Sequence, residues 1–184
     1  LAFSTRLRLF YLLHFANPAA DRLVYRTIRE HPTRSILEIG IGRGERALRM
    51  IEVAALKVPV GELRYVGVDL FEARTQRDGP GLSLKAAHCL LRPTGARVQL
   101  VPGDPLSALA RTANLLKPAD LVVISAMPDA AMSAAWFFMP RVLHARSIVL
   151  RQGPPGGRQG GEFERLGLPQ VEALASRAGR RRAA

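Results

Sequence analysis

The chain is predicted to fold as a doubly wound α/β domain: an open, mainly parallel sheet of five strands, with room for extension at its end, helices on both faces, and two helices ahead of it. Three observations predict this. Five short apolar runs, each bounded by Gly, Pro or Asp, alternate with stretches long enough to hold a helix. The runs are continuously apolar rather than alternating, as suits parallel strands buried on both faces. A length of 184 residues with 48% hydrophobic content matches one domain with one sizeable core.

Taken in order, the first element is the apolar run 9–16. Arg6 and Arg8 precede it as they would in a signal peptide, but His14 interrupts it and it is too short to cross a bilayer. It is expected to be a helix packing on the domain. Asn17-Pro18 reads as an N-cap with proline in the first turn, opening a second helix that carries Leu23, Val24 and Ile28 and stops at His31-Pro32. Strands are predicted at 35–39, 65–69, 97–101, 120–125 and 147–150. Crossover helices are predicted at 45–56, 82–91, 105–116 and 130–143, and right-handed crossovers would place them on both sides of the sheet. The Gly- and Pro-rich stretch 152–161 is expected to be a mobile loop. Residues 163–166 offer the only further strand material, and 168–178 reads as a last helix. Residues 1–34 are thus leading helices, 35–151 the sheet core, and 152–184 a loop, helix and basic tail of the same domain.

The formal charge is +12 and the pI about 11.3, which ordinarily points to a polyanionic partner. Only three of the 27 basic residues are lysine (Lys57, Lys85, Lys117) and 24 are arginine, beside abundant Ala, Gly and Pro. GC-rich coding produces that bias, so the charge is read first as compositional, with an RNA partner as the alternative. The run Arg180, Arg181, Arg182 reads as a solvated tail. Cys89, the lone cysteine, cannot form an internal disulfide, so a reducing, cytoplasmic setting is expected and Cys89 is read as a small core residue. No Cys/His cluster has zinc-ligand spacing, and no metal and no membrane association is expected.

The chemistry is concentrated where the first strand ends, at Ile36-Leu37-Glu38-Ile39-Gly40-Ile41-Gly42-Arg43-Gly44. Three glycines at alternate positions between a buried strand and a helix let backbone approach a ligand, and free N–H groups at a helix start attract a carboxylate or phosphate. Further on, Val66-Gly67-Val68-Asp69-Leu70 is an apolar strand ending in an acid, which can accept both hydroxyls of a ribose. Val98-Gln99-Leu100-Val101-Pro102-Gly103-Asp104 ends a third strand in Gly-Asp, a pair that also makes ordinary turns. A fourth strand runs to Ser125.

In order and spacing this series resembles the class I S-adenosylmethionine-dependent methyltransferases, over residues 35–151. The resemblance implies a Rossmann-like fold with S-adenosylmethionine as cofactor. It places Glu38, Gly40, Gly42 and Gly44 at the methionine end, Asp69 and Leu70 at the ribose, Gly103 and Asp104 near the adenine, and Ser125 at the mouth. The chain departs from the family twice. Ser125-Ala126-Met127-Pro128 stands where methyltransferases of exocyclic base nitrogens carry Asn/Asp-Pro-Pro-aromatic, so a small-molecule methyl acceptor is favoured over RNA. The antiparallel strand pair that usually ends the family's sheet has only residues 163–166 to draw on.

Because the cofactor brings its own electrophile, no obligatory catalytic side chain is implied; His14, His31, His88 and His144 carry no motif, and Trp136, Phe137 and Phe138 are read as core. Two alternatives stay open. One is a methyltransferase-like fold kept for binding RNA or a protein. The other is a nicotinamide-dependent oxidoreductase, since Gly42-x-Gly44-x-x-Ala47 fits a looser dinucleotide fingerprint.

Overall fold

A computed structural model describes residues 3–153 and 161–183. Its strands are β1 (Ser35–Ile39), β2 (Arg64–Asp69), β3 (Arg97–Pro102), β4 (Leu121–Ile124), β5 (Ile148–Gln152) and β6 (Phe163–Leu166). Among the described residues they form one six-stranded sheet in the order β3-β2-β1-β4-β5-β6. The first five are parallel, and β6 runs antiparallel to β5, with Val149 opposite Leu166 and Gln152 opposite Phe163. This is the predicted doubly wound sheet. The segment 163–166 extends it by one antiparallel strand, where the resemblance expected two.

The helices are α1 (Phe3–His14), α2 (Asp21–Glu30), α3 (Glu45–Ala54), α4 (Leu84–Leu91), α5 (Pro105–Thr112), the short α6 (Asp129–Ser133) and α7 (Leu168–Ala183). Successive strand side chains point to opposite faces, and both faces are apolar. Ile36, Tyr65, Leu121, Val123, Ile148 and Leu150 meet α1 to α4 in one core. Leu37, Ile39, Val68, Val122, Ile124 and Val149 meet α5 to α7 in the other. Local chemistry sets the helix starts. Ser83 caps α4 by accepting from Ala86 N, and Asp104 caps α5 by accepting from Leu106 N and Ser107 N, with Pro105 in the first turn.

Several expectations are corrected. The helix predicted over 130–143 is α6 followed by a 3-10 segment, Ala135–Val142, with Pro140 inside it; proline lacks the N–H that a continuous α-helix needs. Trp136 and Phe138 are nevertheless buried there. α2 opens at Asp21, four residues after Asn17 and without a side-chain cap. The turn is held instead by arginines, Arg26 Nε donating to Leu13 O and Arg22 Nε to Ala16 O, while the Asn17 carbonyl accepts from Arg49. Cys89 is exposed, because α4 buries Ala87 and Leu91 and two residues on from Ala87 the helix faces outward. The basic tail is helical, with Arg180 and Arg181 exposed on α7. Of the predicted mobile loop 152–161, residues 154–160 lie outside the described residues.

Candidate functional site

The sheet order reverses between β1 and β4, and at that switch point, beyond the carboxyl ends of the strands, lies a cavity of about 740 Å³. Gly40, Gly42, Gly44, Asp69, Leu70, Gly103, Asp104 and Ser125 all line it. Eight of the nine predicted residues therefore meet at one opening. The ninth, Glu38, lies beneath the wall with no exposed surface.

Two glycines of the loop serve different ends. Gly44 has φ +76°, and a Cβ there would come within 2.6 Å of Leu90 and 2.9 Å of Leu82, so it lets the loop sit tightly on α4 and the residues just ahead of it. Gly42 has φ +59° with no atom within 4 Å of a Cβ position, so its bare face is turned to open space. Its N–H donates to Asp69 Oδ2 at 2.9 Å, tying the loop to the end of β2.

Asp69 is 5% exposed and fully engaged. Phe71 N donates to Oδ1 at 3.2 Å, and Arg74 closes a fork, Nε to Oδ1 at 2.9 Å and Nη2 to Oδ2 at 2.8 Å. Burial pushes this carboxyl up, but the Arg74 fork and the two backbone N–H groups outweigh it and hold Asp69 below its usual value. Asp104 is exposed at the rim; the Ser107 hydroxyl and the N–H groups of the first turn of α5 lower it too.

The opposite wall rests on Arg46, in the first turn of α3. Its Nε donates to Glu38 Oε1 at 2.8 Å, Nη1 to Asp21 Oδ1 at 3.3 Å, and Nη2 to Gly40 O at 3.2 Å and to Ser125 Oγ. Its guanidinium also lies 5.3 Å from the Phe163 ring centroid. The Ser125 hydroxyl donates to Gly40 O, closing the switch point. Glu38 accepts from Tyr65 on its other oxygen. Burial raises Glu38 above the usual carboxylate value despite Arg46 and Tyr65, and it raises Tyr65 as well. For Arg46 burial acts the other way, but the Glu38 and Asp21 carboxylates overcome it and hold the guanidinium charged.

Sequence reasoning missed Arg46, Asp21 and Arg74, all of which line the cavity. Arg46 left a signal: a long cation in the first turn of a helix, where the dipole disfavours it, needs carboxylate partners. Asp21 and Arg74 left none, since their partners are set by tertiary packing. None of the four histidines lines the cavity; His144 contacts Asp120 at 3.0 Å, near the other end of β4.

The cofactor implied by the resemblance fits this donor set. Gly42 opens the loop to close approach, Asp69 is a buried acceptor at the end of β2, and Asp104 stands at the far rim. One residue must yield, because a carboxylate offers about four acceptor positions and Arg74 holds two of those on Asp69. Among the described residues no group of three His, Cys, Asp or Glu gathers to hold a metal, and no helix is long and apolar enough to cross a membrane.

No protein-family model and no curated protein matches the chain. Solved structures do. All of this chain aligns with 81% of an O-methyltransferase from Bacillus cereus in complex with S-adenosylhomocysteine, at TM-score 0.56 and 16% identity. It aligns equally fully with 80% of the O-methyltransferase TomG from Streptomyces achromogenes in complex with S-adenosylmethionine, at TM-score 0.55 and 15% identity. A precorrin-6y C5,15-methyltransferase from Geobacter metallireducens matches 86% of this chain over 69% of its own, at TM-score 0.53 and 12% identity. The chain has the class I methyltransferase fold.

Proposed function

We propose that the chain binds S-adenosylmethionine in the switch-point cavity and transfers its methyl group to a small-molecule acceptor that enters beside Ser125. The observation that carries this reading is the convergence of the glycine loop, Asp69 and Asp104 on one cavity in a fold shared with methyltransferases solved with that cofactor or its product. The cofactor supplies an electrophilic sulfonium methyl. The chain's own task is then to hold the two reactants in line and keep water out. Asp69 accepts from the ribose, the Gly42 loop seats the amino-acid end, and the Ala126, Met127 and Pro128 turn forms an apolar shelf at the mouth. No general base is required of the protein when the acceptor arrives already nucleophilic.

The test is calorimetric titration with S-adenosylmethionine and S-adenosylhomocysteine. Micromolar binding is expected, lost in Asp69→Ala. Arg74→Gln is expected to bind at least tenfold more tightly than the parent, because the ribose no longer competes with the guanidinium for Asp69. A folded parent and a folded Arg74→Gln that both fail to bind would exclude the methyltransferase reading. That outcome would favour the second one, a methyltransferase-like fold kept for binding, for which the occupied Asp69 is the motivating observation. Binding of NADH in place of the methyl donor would instead restore the oxidoreductase reading.

A further inference from the structure

At the other end of the sheet, where β1, β2 and β3 begin, lies a second cavity of about 340 Å³. It opens where the second core thins out: α5 ends at Thr112 and leaves the first residues of β2 and β3 uncovered. Leu37, Val66, Leu116 and Val142 supply an apolar floor, and Leu115, 80% exposed, stands at the rim. Three cationic residues line it, Arg64, Arg97 and Lys117.

The cations are placed against electrostatic preference. Arg64 and Arg97 are direct partners in the register of β2 and β3, and like charges opposite each other destabilise a sheet. Other arginines of this chain find acids, Arg8 with Glu52, Arg34 with Glu62 and Arg151 with Glu164. These three cations have no acidic partner among the described residues. The acids nearby are already committed: Glu62 to Arg34, and Asp120 to the Ser35 and Arg34 N–H groups and to His144.

We infer that this cavity is a second ligand site, for a small amphiphilic anion whose carboxylate or phosphate lies among Arg64, Arg97 and Lys117 and whose apolar body covers the floor under Leu115. The volume is within the range of small-molecule pockets. The anion would relieve the Arg64–Arg97 repulsion, and the apolar tail would remove the floor and Leu115 from water. The inference does not rest on the methyl-transfer reading, since no residue is shared between the two cavities.

The experiment is calorimetric titration of the whole chain with octanoate, octyl phosphate, octanol and inorganic phosphate, the amphiphiles kept below their micelle concentrations. Octanoate and octyl phosphate are expected to bind saturably at one site, their ratio showing which head group the cations prefer. Octanol and inorganic phosphate are expected to bind at least tenfold more weakly, because each supplies half of the interaction. Arg97→Gln and Lys117→Gln should each weaken the amphiphilic anions at least fivefold. Free Arg97→Gln should unfold at the parent's temperature or above it, since a repulsion has been removed. The inference is overturned if octanol equals octanoate, if Arg97→Gln binds like the parent, or if the folded parent binds neither anion.

Discussion

Arg46 holds two buried carboxylates, a loop carbonyl and the Ser125 hydroxyl at once. Removing one partner of a buried ion pair leaves an uncompensated charge, so Arg46→Met should destabilise the fold by about 3–5 kcal/mol. In Glu38→Gln the charge that needed Arg46 is already gone, and the double variant should therefore lose less than the sum of the two single losses. The pH dependence has a definite sign. A carboxyl raised on folding contributes stability that is present below its unfolded value and is lost as pH rises through the folded one. For Glu38 the loss therefore begins near the ordinary glutamate value of about 4.3. Asp69 and Asp120, both lowered, contribute in the opposite sense: their stabilisation is present above the ordinary aspartate value, begins to be lost as pH falls below it, and is gone below their depressed values. Chemical denaturation from pH 4 to pH 8 should thus show Glu38→Gln gaining on the parent as pH rises. A difference that stays flat would mean that Glu38 is not raised.

The glycine loop separates stability from binding at the scale of one element. Gly44→Ala meets Leu82 and Leu90 and also adopts a left-handed φ, so it should lower unfolding stability by more than the about 1–2 kcal/mol expected for the backbone conformation alone. Gly42→Ala bears the backbone cost without a clash, but its methyl enters the space beside the loop; it should stay folded and lose cofactor affinity at least tenfold. Equal cofactor affinity in Gly42→Ala and the parent would remove the loop from the site. The strand-to-glycine passage was legible in the sequence because its requirements are local: a buried run, then positive φ, then a helix start. The 3-10 segment at Ala135–Val142 was not, since an apolar run of that length has the same periodicity signal as a helix and Pro140 alone marks the difference. Arg74 was illegible for a further reason. Its position five residues past Asp69 depends on the intervening 3-10 turn, Phe71–Ala73, folding the chain back onto the carboxylate.

For the whole molecule, the topology was legible because parallel order follows from alternating strands and crossovers, and residues 163–166 were legible as strand material, whereas their antiparallel pairing with β5 is a tertiary choice that four residues cannot announce. That topology also governs how the molecule unfolds. Consecutive residues of β1 and β4 serve opposite cores, Leu121 and Val123 on one face and Val122 and Ile124 on the other, so neither core can be lost without the sheet that carries the other. α1 and α2 share the first core with β1, through Leu12, Leu13, Val24, Tyr25 and Ile28, and Asp21 adds its contact with Arg46. One cooperative thermal transition is therefore expected, with the leading helices melting together with the sheet. A ligand held in the switch-point cavity must then stabilise the entire chain: at 100 times its Kd it adds about 2.7 kcal/mol. For a protein of this size that corresponds to a rise of roughly 5–10 °C in Tm. Calorimetric scans with S-adenosylhomocysteine should show the single peak moving by that amount without dividing. A separate, ligand-insensitive peak from the leading helices would show that the wall built on Asp21 and Arg46 is not part of the binding unit.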